Sequence, residues 1–248
     1  MKTIAFSLQK GGVGKSSLSG NLAGILAETK NVLLVDADPQ GSITSWLVQS
    51  NADPRFELAD VLTGKVSLSE ATVEIMVPRS LHVIPTFSIG GGLKLYAETQ
   101  LEREPYIFSN LLEVAGKLEY DFVLFDMSPA MGRLERCVLL AVEEAVTPLS
   151  PEYLSVDGIQ IFRGFLEEIK SGFRHEVSHK RIIINMINRG FRRHKLYTDA
   201  IHKLNDYVVH EVPQDKSIPE AQTLHLALGA YDPKSRALSA LKNIAEVL

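Results

Sequence analysis

Cysteine is nearly missing from the chain, with Cys137 standing alone among 248 residues. A lone thiol excludes an internal disulfide framework and fits a reducing, cytoplasmic setting, where a small buried core role suits it. No apolar run approaches the roughly 18 residues that a membrane-spanning helix needs. Met1-Lys2 lead straight into a strand-like segment, with no apolar signal-peptide core. The expectation is a soluble protein. Repeats and low-complexity tracts are also missing, so nothing marks a linker. Nor does either charge dominate: the formal net charge is −4, which by itself argues against a nucleic-acid partner. Its distribution argues the other way. Between Arg174 and Lys203 eight Lys or Arg stand against two acids, a local +6 that leaves −10 for the remainder. One face is expected to be basic.

What is present is a 45% apolar fraction, enough at this length to bury one sizeable core, so residues 1–248 are expected to form one domain. Short apolar runs alternate with longer amphipathic stretches, the pattern of β-α units that build a mostly parallel sheet. The strand candidates are Thr3 to Leu8, Val32 to Asp36, Leu81 to Pro85, Phe122 to Asp126, Ala145 to Leu149, Arg181 to Ile187 and Val208 to Val212. Helices are expected at Lys15 to Thr29, Tyr106 to Leu118, Arg133 to Val142, Ser155 to Lys170, Lys195 to Asp206 and Ser235 to Val247. The fold class is therefore α/β, a mostly parallel central sheet flanked by helices on both faces. Several strands end in polar residues at their carboxyl edge, where ligands sit in open α/β sheets. Gly90-Gly91-Gly92 reads as a turn after the third strand.

After the first strand comes Gln9-Lys10-Gly11-Gly12-Val13-Gly14-Lys15-Ser16-Ser17, a phosphate cradle. Glycines let successive backbone N–H groups converge on phosphate oxygens, Lys15 can reach the outer phosphates, and Ser16 can offer its hydroxyl to Mg²⁺. The usual string G-x-x-x-x-G-K-[ST] would place glycine at position 9; here Gln9 occupies it, and Lys10 precedes the double glycine. Two further segments bring acids to strand ends. Val35-Asp36-Ala37-Asp38-Pro39-Gln40-Gly41 puts two carboxylates on one side of a strand, and Pro39 then turns the chain. Tyr120-Asp121-Phe122-Val123-Leu124-Phe125-Asp126 drives an acid to the sheet edge on buried residues, where it can hold Mg²⁺ through water beside Ser16.

The two-lysine loop, Asp36-Ala37-Asp38-Pro39-Gln40-Gly41, the Asp126 strand and Val212-Pro213-Gln214-Asp215-Lys216-Ser217-Ile218-Pro219-Glu220-Ala221 together resemble the ParA/MinD group of P-loop ATPases. The resemblance implies a P-loop NTPase fold and covers most of the chain. It implies that Lys10 reaches across a dimer interface to the partner's nucleotide, that Asp38 helps position the attacking water, and that Asp36 supports the Mg²⁺ shell. Lys10, Lys15 and Asp38 are then the catalytic set, and residues 10–17 hold ATP. Met127-Ser128-Pro129 keeps the family's Ser-Pro one step late, which bears on contacts made there in a dimer. Asn185, Pro213 and Asp215 resemble the adenine-recognition positions of the wider group; Asn185 also fits a plain strand cap.

Two surface features have competing readings. His175-Glu176-Val177-Ser178-His179 matches the zinc-binding string H-E-x-x-H, but Ser171-Gly172 just upstream and the strand just after deny it a helix. Exposed histidines on a basic face are expected instead. Arg189, Arg192, Arg193, Lys195 and Lys203 are either solvated surface charge or a contact to duplex DNA that ignores sequence, since phosphate binding requires cations but no base-reading motif.

The resemblance favours DNA, and favours the short, Soj-like kind of ParA with no separate N-terminal DNA-binding domain. It implies an ATP-bound homodimer on nucleoid DNA, released when a ParB-like partner stimulates hydrolysis, partitioning a plasmid or chromosome from the cytoplasm. Three rival readings make different demands on the chain. A MinD-like membrane or cargo-positioning ATPase would need a basic amphipathic tail, yet residues 238–248 carry one lysine and one glutamate, so packing against the domain is expected and no membrane. An iron–sulfur ATPase would need two cysteines per subunit. A nucleotide-bound scaffold without turnover is distinguished only by a hydrolysis assay.

Overall fold

The computed structural model describes residues 1–76 and 79–248. Among these, eight strands form one sheet: β1 (Lys2–Phe6), β2 (Val32–Ala37), β3 (Val73–Met76), β4 (Ser80–Ile84), β5 (Phe122–Met127), β6 (Glu144–Leu149), β7 (Ser178–Ile187) and β8 (Val208–Pro213). Their order is β3-β4-β2-β5-β1-β6-β7-β8, and every neighbouring pair is parallel except β3 with β4. The α/β class and the mostly parallel sheet are as expected from the sequence. The strand count is corrected from seven to eight. Four residues at the sheet's margin, only one of them fully buried, make β3 too short for periodicity to reveal.

The helices are α1 (Lys15–Leu26), α2 (Leu58–Leu62), α3 (Leu68–Ala71), α4 (Leu93–Thr99), α5 (Ile107–Lys117), α6 (Arg133–Leu139), α7 (Leu154–Phe173), α8 (Arg192–His202), α9 (Ser217–Thr223), α10 (Leu228–Tyr231) and α11 (Arg236–Ala245), with a π-helical turn at Thr44–Val48. Central strands read as near-continuous apolar runs because both faces are covered. Alternate side chains go to opposite faces: Ile4, Phe6, Leu34 and Leu124 pack with α1, the π-helical turn and α11, while Ala5, Leu33, Val35 and Phe125 pack with α2 and α4 to α7. α11 buries Ala237, Leu238, Leu241 and Ile244, so the tail packs inward as expected. Cys137 is likewise a core residue, and burial pushes its thiol up to about 11. Among the described residues no helix is long and apolar enough to cross a membrane.

The topology centres the chemistry. Because β1 and β2 both pair with β5, the crossover through α1 carries the loop after β1 over the carboxyl end of β5. Asp36 and Asp126 are directly paired in register across β2 and β5.

Candidate nucleotide site

The glycine loop enters α1 through Gly14, whose φ of 88° lies in the left-handed region that side chains avoid. A Cβ there would also stand 2.2 Å from Asn185 Nδ2, so that amide would have to move. Asn185 is buried beneath the loop and donates to the Val13 carbonyl at 3.0 Å, while its Oδ1 accepts from Met186 N. Lys15 is 7% exposed and folds back into its own loop, donating to the Lys10 carbonyl at 2.8 Å and the Leu8 carbonyl at 3.3 Å. Burial lowers its pKa, against the opposing pull of Asp126, Asp38 and Glu135.

Three acids converge below the loop. Asp36 and Asp126 are both 0% exposed and Asp38 is 7% exposed. Burial pushes the Asp36 carboxyl well up, reinforced by Asp126; burial also raises Asp126 to about 7 against the opposing influence of the Ser16 and Ser19 hydroxyls. Burial raises Asp38 too, opposed by a bond from Gln40 N at 2.9 Å and by Lys15. Among the described residues, one oxygen of each deep acid, Asp36 Oδ1 and Asp126 Oδ2, is buried with no hydrogen-bond partner. Unsatisfied carboxylate oxygens are costly to bury. A hard cation that keeps its waters suits them: Mg²⁺ favours oxygen donors and is bound through one or two carboxylates plus phosphates. Ser16, Asp36 and Asp126 therefore fit the ion as a donor set.

Lys10 behaves unlike Lys15. Its ammonium stands 2.8 Å from Glu152 Oε2 and 3.5 Å from Ser150 Oγ, beyond the end of β6. That bond holds the Glu152 carboxyl below its ordinary range. The late Ser-Pro is also explained: Ser128 Oγ donates to Glu135, whose other oxygen accepts from Gly132 N, closing the loop between β5 and α6.

The outlying residues are placed less compactly. Pro213 lines a cavity of about 560 Å³ with Asn188, Arg189, Gln214 and Arg236. Asp215 spends its carboxylate inside the protein, accepting from Ser217 N, Ser235 Oγ and, at 3.4 Å, Ala237 N. Arg192 and Arg193, expected in a loop, form the first turn of α8, with Phe191 as its cap and Arg193 stacked 5.4 Å from the Phe191 ring centroid. Arg189, Arg192, Arg193 and Lys195 are exposed around this helix start. Arg189 leans toward Glu211 at 3.8 Å. Lys203 is exposed at the far end of α8, about 16 Å along the axis, so the structure gathers four of the five cations.

The H-E-x-x-H string is not helical: His175 precedes β7 and His179 lies in it. The expected exposure of both histidines is corrected. His179 is held against Thr147 Oγ1 at 2.7 Å, Tyr207 and Phe162, and burial lowers its pKa to about 4. The unfolded chain therefore takes up this proton first. The stabilisation from neutral His179 is present above about 6.5 and is lost as pH falls toward 4. His179→Phe is expected to flatten that part of the stability–pH curve in thermal melts; an unchanged slope would assign it to other groups.

A glycine cradle at the carboxyl edge of a parallel sheet, over paired strand-end acids and a buried lysine, defines a P-loop nucleotide-binding protein. Residues 1–179 match the AAA domain family. Along nearly its whole length the chain is 35% identical to BBD21 of Borreliella burgdorferi, covering 100% of this chain and 99% of that protein. It is 30% identical to the chromosome-partitioning ATPase Soj of Treponema pallidum, covering 98% and 95%. Its fold matches the septum site-determining protein MinD of Pyrococcus horikoshii, solved with Mg-ADP, at a TM-score of 0.78, 22% identity, and 99% and 95% coverage. The chain belongs to the ParA/MinD group of P-loop ATPases.

Four contributors were not named from sequence. Ser19 holds Asp126, Thr44 holds Asp36, Glu152 holds Lys10, and Gln222 donates to Ser17 Oγ at 2.9 Å. Ser19 alone carried a local signal, lying three residues after Ser16 on one helix face.

Proposed function

We propose that the chain is a ParA-type molecular switch. ATP with Mg²⁺ holds two copies face to face, the paired copies bind duplex DNA without reading sequence, and hydrolysis stimulated by a ParB-like partner releases them. The cycle partitions a plasmid or chromosome, and the protein is cytoplasmic and nucleoid-associated. The observation that carries this reading is the contrast between the two lysines. Lys15 is folded into its own loop, whereas Lys10 turns away to Glu152 and Ser150, where a second subunit's phosphates can claim it.

In this reading backbone N–H groups of Gly11 to Ser17 cradle the phosphates and Lys15 spans the outer ones. Ser16, Asp36 and Asp126 hold Mg²⁺, which, when bound, neutralises charge on the outer phosphate oxygens. Asp38, at the mouth of the buried acids, orients the attacking water. Positioning and charge stabilisation are the main demands of phosphoryl transfer, so no protein nucleophile is needed. Pro213 offers an apolar face to the base; Asn185 and Asp215 shape that pocket by bracing the loop and the starts of α9 and α11.

For DNA, α8 begins with no acid in its first turn and with exposed arginines around it, so helix dipole and side chains both favour phosphate there. Arg236 adds a further guanidinium beside Arg189 across the shared cavity. Sedimentation with ATP, ADP or no nucleotide, with and without duplex DNA, tests the whole reading. ATP-dependent dimers that carry DNA are expected; a monomer in all three states, or DNA binding indifferent to nucleotide, would count against it. Replacing Arg192 and Arg193 with alanine is expected to weaken all duplexes alike and to flatten the log–log salt slope by about 0.9 per lost phosphate contact. Sequence-dependent weakening would overturn the phosphate-contact reading.

A further inference from the structure

The two deep acids are built alike. In each, a hydroxyl occupies one oxygen and the other oxygen is buried without a partner among the described residues. Asp36 Oδ2 accepts from Thr44 Oγ1 at 2.6 Å and from Thr44 N at 2.8 Å, leaving Oδ1 open. Asp126 Oδ1 accepts from Ser19 Oγ at 3.1 Å, leaving Oδ2 open.

Thr44 is fixed by more than its rotamer. Its hydroxyl accepts from Thr86 N at 2.8 Å, which leaves the hydroxyl proton for Asp36. Thr86 Oγ1 in turn donates to the Asp36 carbonyl at 2.5 Å. The approach of this loop to the end of β4 is so close that a Cβ on Gly41, at φ +63°, would stand 2.4 Å from the Thr86 carbonyl oxygen. Thr44 also opens the π-helical turn, a local irregularity that often marks functional sites. Ser19, buried in α1, sits one turn along from Ser16 and shares its single hydroxyl proton between Asp126 Oδ1 at 3.1 Å and the Ser16 carbonyl at 3.2 Å.

From this symmetry we infer that Thr44 and Ser19 are positioning residues for the divalent cation. Each pins one carboxylate oxygen and thereby presents the other to a shared shell of metal-bound water. The inference rests on the nucleotide–magnesium reading of the site and names which residues set its metal affinity. Both hydroxyls bond the acids and act through them, as outer partners of metal ligands commonly do.

The test is ADP binding by calorimetry, first in EDTA and then across a Mg²⁺ titration, for the parent, Thr44→Val, Thr44→Ser and Ser19→Ala. Trp46, the sole tryptophan, is buried in the same π-helical turn and serves as the fluorescence probe, expected to change on metal binding. Thr44→Val and Ser19→Ala are expected to bind ADP in EDTA as the parent does, yet to need about ten-fold more Mg²⁺ to reach half the metal-dependent change. Thr44→Ser is expected to restore the parent midpoint within about two-fold, since it keeps the hydroxyl. Parent-like midpoints in both variants, or an equal loss of ADP affinity with and without metal, would overturn the inference. If Thr44→Val fails to fold, Ser19→Ala decides the matter by the same two outcomes. A parent chain that binds no ADP at any Mg²⁺ concentration overturns the nucleotide reading and this inference together, whereas a parent that binds Mg-ADP beside unshifted variants overturns the inference alone.

Discussion

Lys15→Ala is expected to abolish measurable ATP binding. In the folded chain Lys15 is 7% exposed, and Asp126, Asp38 and Glu135 each act on its protonation. Removing it has two effects of the same sign. The outer phosphates lose their charged donor, and the buried carboxylates lose the positive charge that offsets their repulsion of a polyanion. Truncating one partner of a buried, hydrogen-bonded charge pair costs about 2–5 kcal/mol, so the affinity should fall by about thirty-fold to about five-thousand-fold. Calorimetry with ATP checks this directly, alongside a melting curve to show that the variant is folded. An affinity within about three-fold of the parent's would mean that the loop's backbone amides carry the triphosphate without help, and the role given to Lys15 would fall.

The second large effect is expected at Lys10, and it should leave nucleotide binding alone. Lys10→Ala should bind ATP nearly as the parent does yet fail to dimerise with it. The Lys10–Glu152 pair holds the lysine in its own subunit with side chains 22% and 57% exposed. Such half-wet pairs contribute about 0–1 kcal/mol, whereas close charge pairs desolvated in an interface are coupled by about 1.5–7 kcal/mol. A partner's phosphates should therefore win the lysine from Glu152. The same comparison predicts the converse variant. Glu152→Gln removes the internal hold and should tighten ATP-dependent dimerisation by no more than about five-fold, the equivalent of 1 kcal/mol. Sedimentation velocity over a concentration series reads both. Normal dimerisation by Lys10→Ala would show that the lysine only solvates its loop.

How much of this was legible beforehand depends on chain distance. Residues 10–17 are contiguous, and their glycines and lysine define a phosphate cradle without reference to anything else. Asp36 and Asp126 were legible because each terminates its own apolar run. By contrast, periodicity starts α8 only at Lys195 and leaves Arg192 and Arg193 in a loop; the structure starts the helix at Arg192 and brings them onto its first turn. The basic neighbours of His179 point it to solvent, but the pairing of β7 with β6 sets it beside Thr147. Asp215 fits a base-reading role by sequence, while the helix starts of α9 and α11 now occupy its oxygens. The zinc-like string had every residue it needed and lacked only the helix that would have put both histidines on one face.

By itself the sequence determined the α/β alternation, the two-lysine loop and the acids at two strand ends, because each is a property of neighbouring residues and of a repeat that periodicity exposes. Only the tertiary structure decided that Asp36 and Asp126 stand side by side in register, that Thr44 and Ser19 each take one of their oxygens, and that Lys10 rests on a glutamate 142 positions away. These are meetings between distant segments, set by strand order and close packing. No local pattern of residues encodes which hydroxyl will face which carboxylate across a sheet.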